Sequence, residues 1–278
     1  MKVLETKTSL VSALEQEKNK HHSIGFVPTM GALHQGHISL VRQCKEENDI
    51  AVVSIFVNPT QFNDKNDLAK YPRDLPCDLK MLEENGCDYV FAPSVEEMYP
   101  EEDQRVFDFG MLDKVMEGTH RPGHFNGVAQ IVSKLFDVVQ PDRAYFGEKD
   151  FQQLAIIRCM VKMSGYHVLI IACPIIREKD GLAMSSRNTL LNPSQRENAP
   201  LIARTLLESK EKIKTMPVDL LKKWVIEHID DNPYLETEYF EIVDRDTLQP
   251  AGIYTGQPLQ GCIAVRVGNI RLIDNIEY

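Results

Sequence analysis

Several features that mark whole classes of protein are missing or scarce in this sequence. The six cysteines stand singly, with no C-x-x-C pair among them. No apolar run approaches the roughly 20 residues that a membrane-spanning helix needs. Positive charge is also scarce, since 31 basic residues against 41 acidic ones leave a formal net charge of −10. We therefore expect reduced, buried cysteines, no membrane partner and no nucleic-acid partner.

Length and composition predict an ordinary globular protein with a large domain and a smaller companion. A chain of 278 residues is long for one unit, and 43% hydrophobic with 26% charged residues is typical of globular proteins. This apolar content is enough for a core without a disulfide or metal staple. The first residues, from Met1 to Glu5, lead into no apolar segment of the kind that a signal peptide carries, so we expect a cytoplasmic protein.

Up to about Pro174, short apolar runs alternate with amphipathic segments. Strands are predicted over 24–28, 50–57, 89–92, 143–146 and 168–172, and helices over 36–48, 75–85, 128–138 and 151–163. Such alternation with short connections predicts right-handed βαβ units and a parallel sheet. The predicted fold class is therefore α/β, with a Rossmann-like doubly wound parallel sheet.

The pattern changes beyond Pro174. Helices are predicted over 193–214 and 218–230, followed by strands over 235–243, 262–267 and 271–274. Helices followed by strands indicate a smaller C-terminal α+β domain. We therefore predict two domains, over 1–175 and 176–278.

The segment from Pro28 to His37, PTMGALHQGH, connects the first of these strands to the helix after it. Ligands of open α/β sheets bind at the carboxyl ends of strands, and a helix N-terminus offers N–H groups and partial positive charge to a phosphate. Gly31 and Gly36 let a ligand approach the backbone. His34 and His37 stand three residues apart and can share one face. Two alternatives stay open, a turn with two surface histidines and a zinc site, although no third ligand stands nearby.

Two later segments carry further polar groups. In FGEKD, Lys149 is a compact cation suited to phosphate oxygens, and Asp150 is suited to cap a helix or to bind a ribose hydroxyl or metal-bound water. In LAMSSRN, two serine hydroxyls precede Arg187, a pattern typical of a phosphate clamp. Each segment alone is equally consistent with a plain helix start or a serine-rich loop.

The H-x-G-H pattern resembles the signature of the nucleotidyl-transferring α/β superfamily, which includes the class I aminoacyl-tRNA synthetases. The LAMSSRN segment stands where those synthetases have K-M-S-K-S, but Ala183 and Ser186 replace the lysines. Together, the motifs resemble the pantothenate synthetase (pantoate–β-alanine ligase) family along nearly the whole chain. The matching stretches are 26–37, N-P-x-Q-F over 58–62, Y-P-R over 71–73, G-x-x-R-P-G-H-F over 118–125, 147–154 and 177–188.

The resemblance implies condensation of (R)-pantoate with β-alanine, with ATP as co-substrate converted to AMP and diphosphate through a pantoyl-adenylate. It implies His37, His34 and Lys149 as catalytic residues, and Gln61 and Gln153 as pantoate-binding residues, with Gln61 also at the β-alanine site. The implied ATP-binding residues are Met30, Gly31, Ala32, Leu33, His34, Gln35, Gly36, His37, Gly147, Glu148, Lys149, Asp150, Ile176, Met184, Ser185, Ser186 and Arg187.

The resemblance also implies a catalytic first domain that binds ATP and pantoate, a second domain that covers the active site, and a homodimer. Mg²⁺ is expected to bind with ATP, without direct protein ligands. Asp78 has two interpretations, a contact to Mg²⁺ through water or a solvated carboxylate on a helix. Arg121 and His124 stand in a loop rich in glycine and proline that we expect near the nucleotide. The polar segment over 62–71 is a predicted mobile lid.

Three other functions fit part of the pattern. A nucleotidyltransferase also uses H-x-G-H, but it keeps the nucleotide on its product instead of releasing AMP. A class I tRNA synthetase needs a basic surface and an anticodon-binding extension, for which this chain has neither the charge nor the length. A non-catalytic nucleotide-binding module has no need of the two glutamines that match substrate-binding positions.

Overall fold

The computed structural model describes residues 1–63 and 65–278, except for the side chain of Lys65. The chain divides into two units. Unit 1 consists of Met1–Phe109, Arg121–Glu148 and Gln153–Pro174, and unit 2 of Gly110–His120, Lys149–Gln152 and Ile175–Tyr278. The break after Pro174 lies one residue from the predicted domain boundary, but two short segments of the predicted first domain belong to unit 2. The roles that the sequence predicts for the two domains stay predictions.

Unit 1 is built on a parallel sheet. Its strands, among the described residues, are β1 (Lys2–Leu4), β2 (Ile24–Thr29), β3 (Ile50–Ile55), β4 (Tyr89–Phe91), β5 (Arg143–Gly147) and β6 (Leu169–Cys173). They lie in the order β1-β4-β3-β2-β5-β6, and every neighbouring pair is parallel. The predicted α/β class with a Rossmann-like parallel sheet is confirmed.

Helices connect these strands. Up to β6, the described helices are α1 (Lys7–Lys18), α2 (Gln35–Glu47), α3 (Lys65–Lys70), α4 (Leu75–Glu84), α5 (Val95–Met98), α6 (Glu117–His120), α7 (His124–Val139) and α8 (Phe151–Ser164). Of these, α6 and the first two residues of α8 belong to unit 2.

The strand order reverses between β2 and β5. From β2 the chain proceeds through β3 to β4 on one side, and it then returns to place β5 and β6 on the other. The carboxyl ends of β2 and β5, at Thr29 and Gly147, therefore lie at the same edge of the sheet. This reversal is the place where open α/β sheets bind their ligands.

Helix α2 packs directly against β2, and this contact positions the segment that joins them. Ile38, Val41 and Cys44 lie on the buried face of α2, as their spacing predicts. Burial of a side chain such as Ile38 stabilises the fold by about 1.5–3 kcal/mol. A Cβ on Gly25 of β2 would lie 2.4 Å from Cys44 Sγ, so only glycine permits this close approach.

Unit 2 contains an antiparallel sheet covered by helices. Its further helices and strands, among the described residues, are α9 (Pro193–Asn198), α10 (Leu201–Lys212), α11 (Val218–Asp230), β7 (Glu236–Asp244), β8 (Leu259–Val267) and β9 (Ile270–Glu277). Leu206 and Leu221 of the helices and Phe240 and Ile263 of the sheet share one buried core. The predicted smaller C-terminal α+β domain is confirmed.

Some predictions of secondary structure are wrong. The single helix predicted over 193–214 is two helices, because Pro200 has no N–H to donate and separates α9 from α10. Sequence reasoning assigns no element to residues 1–23, where the structure has β1 and α1. Strand β1 has three mostly exposed residues, so no apolar run marks it.

The cysteines are all free thiols, as expected, but two of them are not buried. Cys77 is exposed and Cys159 is half-buried, whereas the other four are buried. Cys77 lies in the first turn of α4, whose core-facing residues are at other positions such as Leu82. Among the described residues, none of the helices has both the length and the apolar character that crossing a membrane requires.

Candidate active site

The loop from Met30 to His34 follows β2 at the edge where the strand order reverses. Its backbone enters the left-handed region at two successive residues, Gly31 with a φ of 78° and Ala32 with a φ of 49°. Thr29 Oγ1 accepts the Gly31 N–H at 3.1 Å. Because Ala32 carries a Cβ, its conformation is intrinsically disfavoured and depends on bonds from outside the loop.

Asp78 of α4 supplies such bonds. Its Oδ2 accepts the Ala32 N–H at 2.9 Å, and its Oδ1 accepts the Leu33 N–H at 2.7 Å. Burial raises the pKa of the Asp78 carboxyl, while the two N–H groups oppose this rise by stabilising the charged form. The residue is only 2% exposed, so its interpretation as a solvated helix carboxylate is wrong.

His34 and His37 cap α2 and lie side by side. His34 Nδ1 accepts the Gly36 N–H at 3.1 Å, and His37 Nδ1 accepts the His34 N–H at 3.3 Å. The two ring centroids are 4.1 Å apart. Since each Nδ1 is an acceptor, each neutral ring carries its proton on Nε2. Each Nε2–H is a donor of the kind that a phosphate oxygen accepts.

The backbone of this segment is less open than the sequence suggests. Its N–H groups at residues 31–34 and 36 each donate to a side chain of the protein. The expectation that free N–H groups receive a phosphate therefore needs correction at these positions. What the segment does present is two imidazoles and the positive end of α2.

Gln61, the predicted pantoate- and β-alanine-binding residue, is buried in the 3-10 turn Pro59–Gln61 after β3. Its Nε2 lies 3.0 Å from Met30 Sδ, and its Oε1 accepts a hydrogen bond from Asn58 Nδ2 at 3.2 Å. The fold thus brings Gln61 into contact with the first residue of the loop before α2. Asn58 orients the amide, so that its donor side faces that loop.

His124 at the start of α7 and Arg121, three residues before it, hold the backbone of the same turn. His124 Nδ1 lies 2.8 Å from the Gln61 carbonyl oxygen, and Arg121 Nη2 lies 3.4 Å from it. Arg121 Nη1 is also 3.2 Å from His124 Nε2. These distances fit a His124 ring that donates through Nδ1 and accepts through Nε2. The expectation that Arg121 and His124 approach the nucleotide stays a prediction.

The predicted ATP-binding residues after β5 are divided between the units. Glu148–Asp150 forms a 3-10 turn, and the division falls between Glu148 and Lys149. Within unit 2, Lys149 Nζ lies 3.4 Å from Asp150 Oδ1, and the Lys149 carbonyl accepts a hydrogen bond from Asn275 Nδ2 at 2.9 Å. Gln153 is half-buried on α8 in unit 1.

Unit 2 joins Ile176 and Met184 through a short hairpin. The Met184 N–H donates to the Ile176 carbonyl at 2.9 Å. The Arg177 guanidinium makes a bidentate pair with the Asp274 carboxylate, at 2.6 and 3.0 Å, which anchors the hairpin to β9. Two predicted ATP-binding residues that are eight positions apart in sequence are therefore neighbours.

The serine segment follows directly from this hairpin. Ser185 Oγ accepts the Arg187 N–H at 3.3 Å and caps the 3-10 turn Ser186–Leu190. This short turn keeps Ser185, Ser186 and Arg187 next to Met184. Among the described residues of the chain, no three His, Cys, Asp or Glu side chains are grouped so that they could hold a metal ion.

The predicted lid over 62–71 includes residue 64, which lies outside the described residues. In the part that is described, Lys65–Lys70 is helix α3, and the Phe62 and Tyr71 rings pack edge to face with centroids 5.7 Å apart. The lid function stays a prediction.

Sequence reasoning did not identify some of the residues that hold the site together. Thr29 and Asn58 lie within the quoted motifs, but Thr29 donates to the Ser54 carbonyl of β3 and Asn58 to the Gly127 carbonyl of α7, which the motifs do not reveal. In unit 2, Glu117 accepts two hydrogen bonds of 2.7 Å from Arg271, which is 154 positions away in sequence. No local signal could have paired those two residues.

Comparison with known proteins decides the family. A model of the pantoate–β-alanine ligase family matches residues 2–277. The chain belongs to this family. Family membership makes it a ligase, and it confirms the resemblance found in the motifs.

Named relatives and solved structures agree with this family across the whole chain. Pantothenate synthetase of Bacteroides thetaiotaomicron is 57% identical over 100% of this chain and 99% of its own length. That of Acetivibrio thermocellus is 47% identical over 99% of both chains. The crystal structure of pantothenate synthetase from Thermus thermophilus has a TM-score of 0.93 at 44% identity, over 99% of both chains. Pantoate–β-alanine ligase from Francisella tularensis, complexed with β-γ ATP and β-alanine, has a TM-score of 0.84 at 34% identity, over 99% and 97%.

Proposed function

We propose that this chain condenses (R)-pantoate with β-alanine to give (R)-pantothenate, and converts ATP to AMP and diphosphate through a pantoyl-adenylate. The observation that carries the proposal is the pair of imidazoles at the start of α2, where the strand order reverses. Membership of the pantoate–β-alanine ligase family supports it. So does the presence of β-γ ATP and β-alanine in the Francisella tularensis relative.

In the first step, a carboxylate oxygen of pantoate attacks the α-phosphorus of ATP. An O–P bond forms, and the bond from the α-phosphorus to the oxygen of the departing diphosphate breaks. Both reactants are anionic, so positioning and preorganised positive charge lower the barrier and no protein nucleophile is required. We assign the stabilising groups to His34 and His37 through Nε2–H, and to Lys149 and Arg187 through their charges. The other ATP-binding positions implied by the family are proposed to contact the same nucleotide.

Gln61 and Gln153 are proposed to bind pantoate. Neutral amides hydrogen-bond hydroxyl and carboxylate groups without neutralising the attacking carboxylate. Gln61 suits this role because Asn58 and Met30 orient its amide within unit 1. The same residue is proposed to lie at the β-alanine site.

In the second step, the free amine of β-alanine attacks the acyl carbon of the adenylate. A C–N bond forms, the bond from the acyl carbon to the phosphate oxygen breaks, and AMP leaves while the amine loses a proton. Because an acyl-adenylate is prone to hydrolysis, water must be excluded during this step. We propose that the segment over 62–71 closes for this purpose.

Mg²⁺ is proposed to arrive bound to the phosphates of ATP, whose charge it neutralises. Each oxygen of Asp78 accepts one backbone N–H, and the remaining lone pairs of the carboxylate are proposed to allow a contact to Mg²⁺ through water. From the family resemblance we also propose a cytoplasmic homodimer whose partners are the three small substrates. The net charge of −10 disfavours a nucleic-acid or anionic-membrane partner.

The test is a diphosphate-release assay with ATP, Mg²⁺ and pantoate, with and without β-alanine. We expect diphosphate release that depends on pantoate, and AMP and pantothenate in equal amounts once β-alanine is added. A product that keeps the nucleotide after β-alanine addition would instead identify a nucleotidyltransferase. If no diphosphate is released with pantoate or any other small acid, the result would favour a non-catalytic nucleotide-binding module.

A further inference from the structure

Asp78 joins α4 to the loop that precedes α2, and both ends of this contact are well anchored. The helix is held along the same face one turn later, since Leu82 of α4 shares a buried core with Ile38 and Val41 of α2. The Asp74 side chain caps the same helix by accepting the Cys77 N–H at 3.1 Å. Asp78 therefore extends from a fixed support.

The loop itself depends on this contact. Gly31 and Ala32 both have left-handed backbone conformations, and the Ala32 and Leu33 N–H groups both donate to the Asp78 carboxylate. A Cβ on Gly31 would lie 2.9 Å from Asp78 Oδ2 and 3.0 Å from Ile55 Cγ2. Glycine is thus required here both by the backbone angle and by the carboxylate beside it.

The contact also lies directly before the two histidines. The Leu33 N–H donates to Asp78, and the next N–H along the chain, that of His34, donates to His37 Nδ1. The position of the His34 backbone therefore sets the His37 ring through one hydrogen bond and starts α2 through the cap. We therefore expect a change in the path of residues 31–33 to move both imidazoles.

We propose that Asp78 is a positioning residue for adenylation, which holds residues 31–33 in their left-handed path and thereby places the imidazoles of His34 and His37. The inference rests on the proposed function for its catalytic consequence only. It depends on the contact of Asp78 with the loop and needs no contact of Asp78 with substrate or nucleotide. Its effect is expected on the rate of the first step, because Asn58, which donates to the Gln61 side chain, lies outside residues 31–33.

The first experiment compares Asp78→Asn with the wild-type chain and with Asp74→Ala. Asparagine keeps the volume of Asp78 but offers one acceptor for two N–H groups, and Asp74→Ala weakens the same helix at its exposed end. Single-turnover diphosphate release should fall at least about tenfold in Asp78→Asn, with the KM for pantoate within about twofold of wild type. Asp74→Ala should lower the melting temperature while it leaves the rate within about twofold of wild type.

A second readout needs no activity. Amide hydrogen exchange at Ala32 and Leu33 should be protected in the wild type and accelerate at least about tenfold in Asp78→Asn, with the core amides of α2 unchanged. Adding Ala32→Gly to Asp78→Asn should raise the rate at least about threefold above that of Asp78→Asn alone, since glycine adopts the left-handed region at little energetic cost. General destabilisation predicts no such rescue.

The outcomes separate the two proposals. If the wild-type chain releases no diphosphate in the presence of pantoate, the proposed function is overturned. The amide exchange measurement still tests the loop contact in that case. If the wild type is active, an Asp78→Asn rate within about twofold of it, or an equal loss in Asp74→Ala, overturns the positioning role. If Asp78→Asn does not fold, Gly31→Ala tests the contact from the loop side, and an unchanged rate in that variant also overturns the proposal.

Discussion

At the scale of single residues, we propose two tasks for His34 and His37, capping and catalysis, which one ring can combine because it has two nitrogens. Nδ1 of each ring accepts a backbone N–H at the start of α2. The other nitrogen then carries the proton and can act on the substrate. Substitution by alanine removes both tasks at once and confuses a loss of helix capping with a loss of catalysis.

Asparagine separates these tasks at position 37. The Oδ1 of asparagine can take the place of Nδ1 as acceptor for the His34 N–H, but nothing replaces the Nε2–H. His37→Asn should therefore keep its melting temperature within a few degrees of wild type. It should lose about 100-fold or more in the single-turnover rate of diphosphate release, the usual effect of deleting one donor to a developing charge.

The control for this prediction is His228→Asn, which replaces a histidine of α11 that stacks on Trp224 in unit 2. Its rate should equal that of wild type. Turnover close to normal in His37→Asn would remove His37 from the catalytic residues. A fall in rate that only follows a fall in melting temperature would make it a capping residue alone.

At the scale of elements, α7 and the 3-10 turn Pro59–Gln61 are in close contact through Gly127. A Cβ at this position would lie 2.4 Å from the Thr60 carbonyl oxygen and 2.9 Å from the Gln61 backbone nitrogen. Asn58 Nδ2 also donates to the Gly127 carbonyl at 3.1 Å. The position of α7 therefore fixes the position of the turn that carries Gln61.

We predict that Gly127→Ala displaces this turn and weakens pantoate binding more than ATP binding. Overpacking of this kind costs about 1–3 kcal/mol, so the variant should remain folded but melt at a lower temperature. The KM for pantoate should rise about tenfold, with the KM for ATP within about twofold. Steady-state kinetics in both substrates checks this prediction.

Gly252→Ala is the matched control, because a Cβ at that glycine meets no heavy atom within 4 Å. It should leave both KM values unchanged. An equal rise in the two KM values of Gly127→Ala would contradict the assignment of the 59–61 turn to the acid.

At the scale of the whole molecule, a chain with a net charge of −10 is stabilised where cationic side chains lie next to its carboxylates. Asp103 is one such carboxylate in unit 1. Arg105 donates to it at 2.6 and 2.9 Å, and Lys134 Nζ lies 3.3 Å away. Hydrogen bonds from Arg105 lower the pKa of the Asp103 carboxyl far below its usual range.

This lowered pKa predicts how stability depends on pH. Because the folded-state pKa lies below the unfolded-state value of about 4, the contribution of Asp103 is complete above that value and is lost as the pH falls toward the folded-state pKa. Asp103→Asn should reduce the free energy of unfolding by about 2 kcal/mol at pH 7. The difference from wild type should shrink steadily below about pH 4.

Urea denaturation at a series of pH values measures this difference. Asp246→Asn, at an exposed aspartate in a turn of unit 2, is the control and should change the free energy of unfolding little at any pH. A difference for Asp103→Asn that stays constant from about pH 7 down to about pH 3 would show that the charge of Asp103 does not stabilise the fold.

The sequence predicted best where one short stretch carries the whole signal. The β2–α2 stretch has an apolar run, a Gly-punctuated turn and a three-residue apolar period, and its predicted bounds agree with the structure to within one residue. The motif order was also sufficient to identify the family. By contrast, α1 has a weakly amphipathic sequence in which only Leu10 and Leu14 are buried, and no local pattern revealed it.

What the sequence by itself determined is the alternating fold class, the place of the histidine segment at a strand end, and the ligase family. These follow from local periodicity and from residue order, which the chain displays directly. Only the tertiary structure decided that Asp78 is buried against residues 32 and 33, and that the start of α7 holds the Gln61 turn. Those contacts join positions 45 to 63 residues apart, and such pairs meet only when separate elements pack on the same sheet.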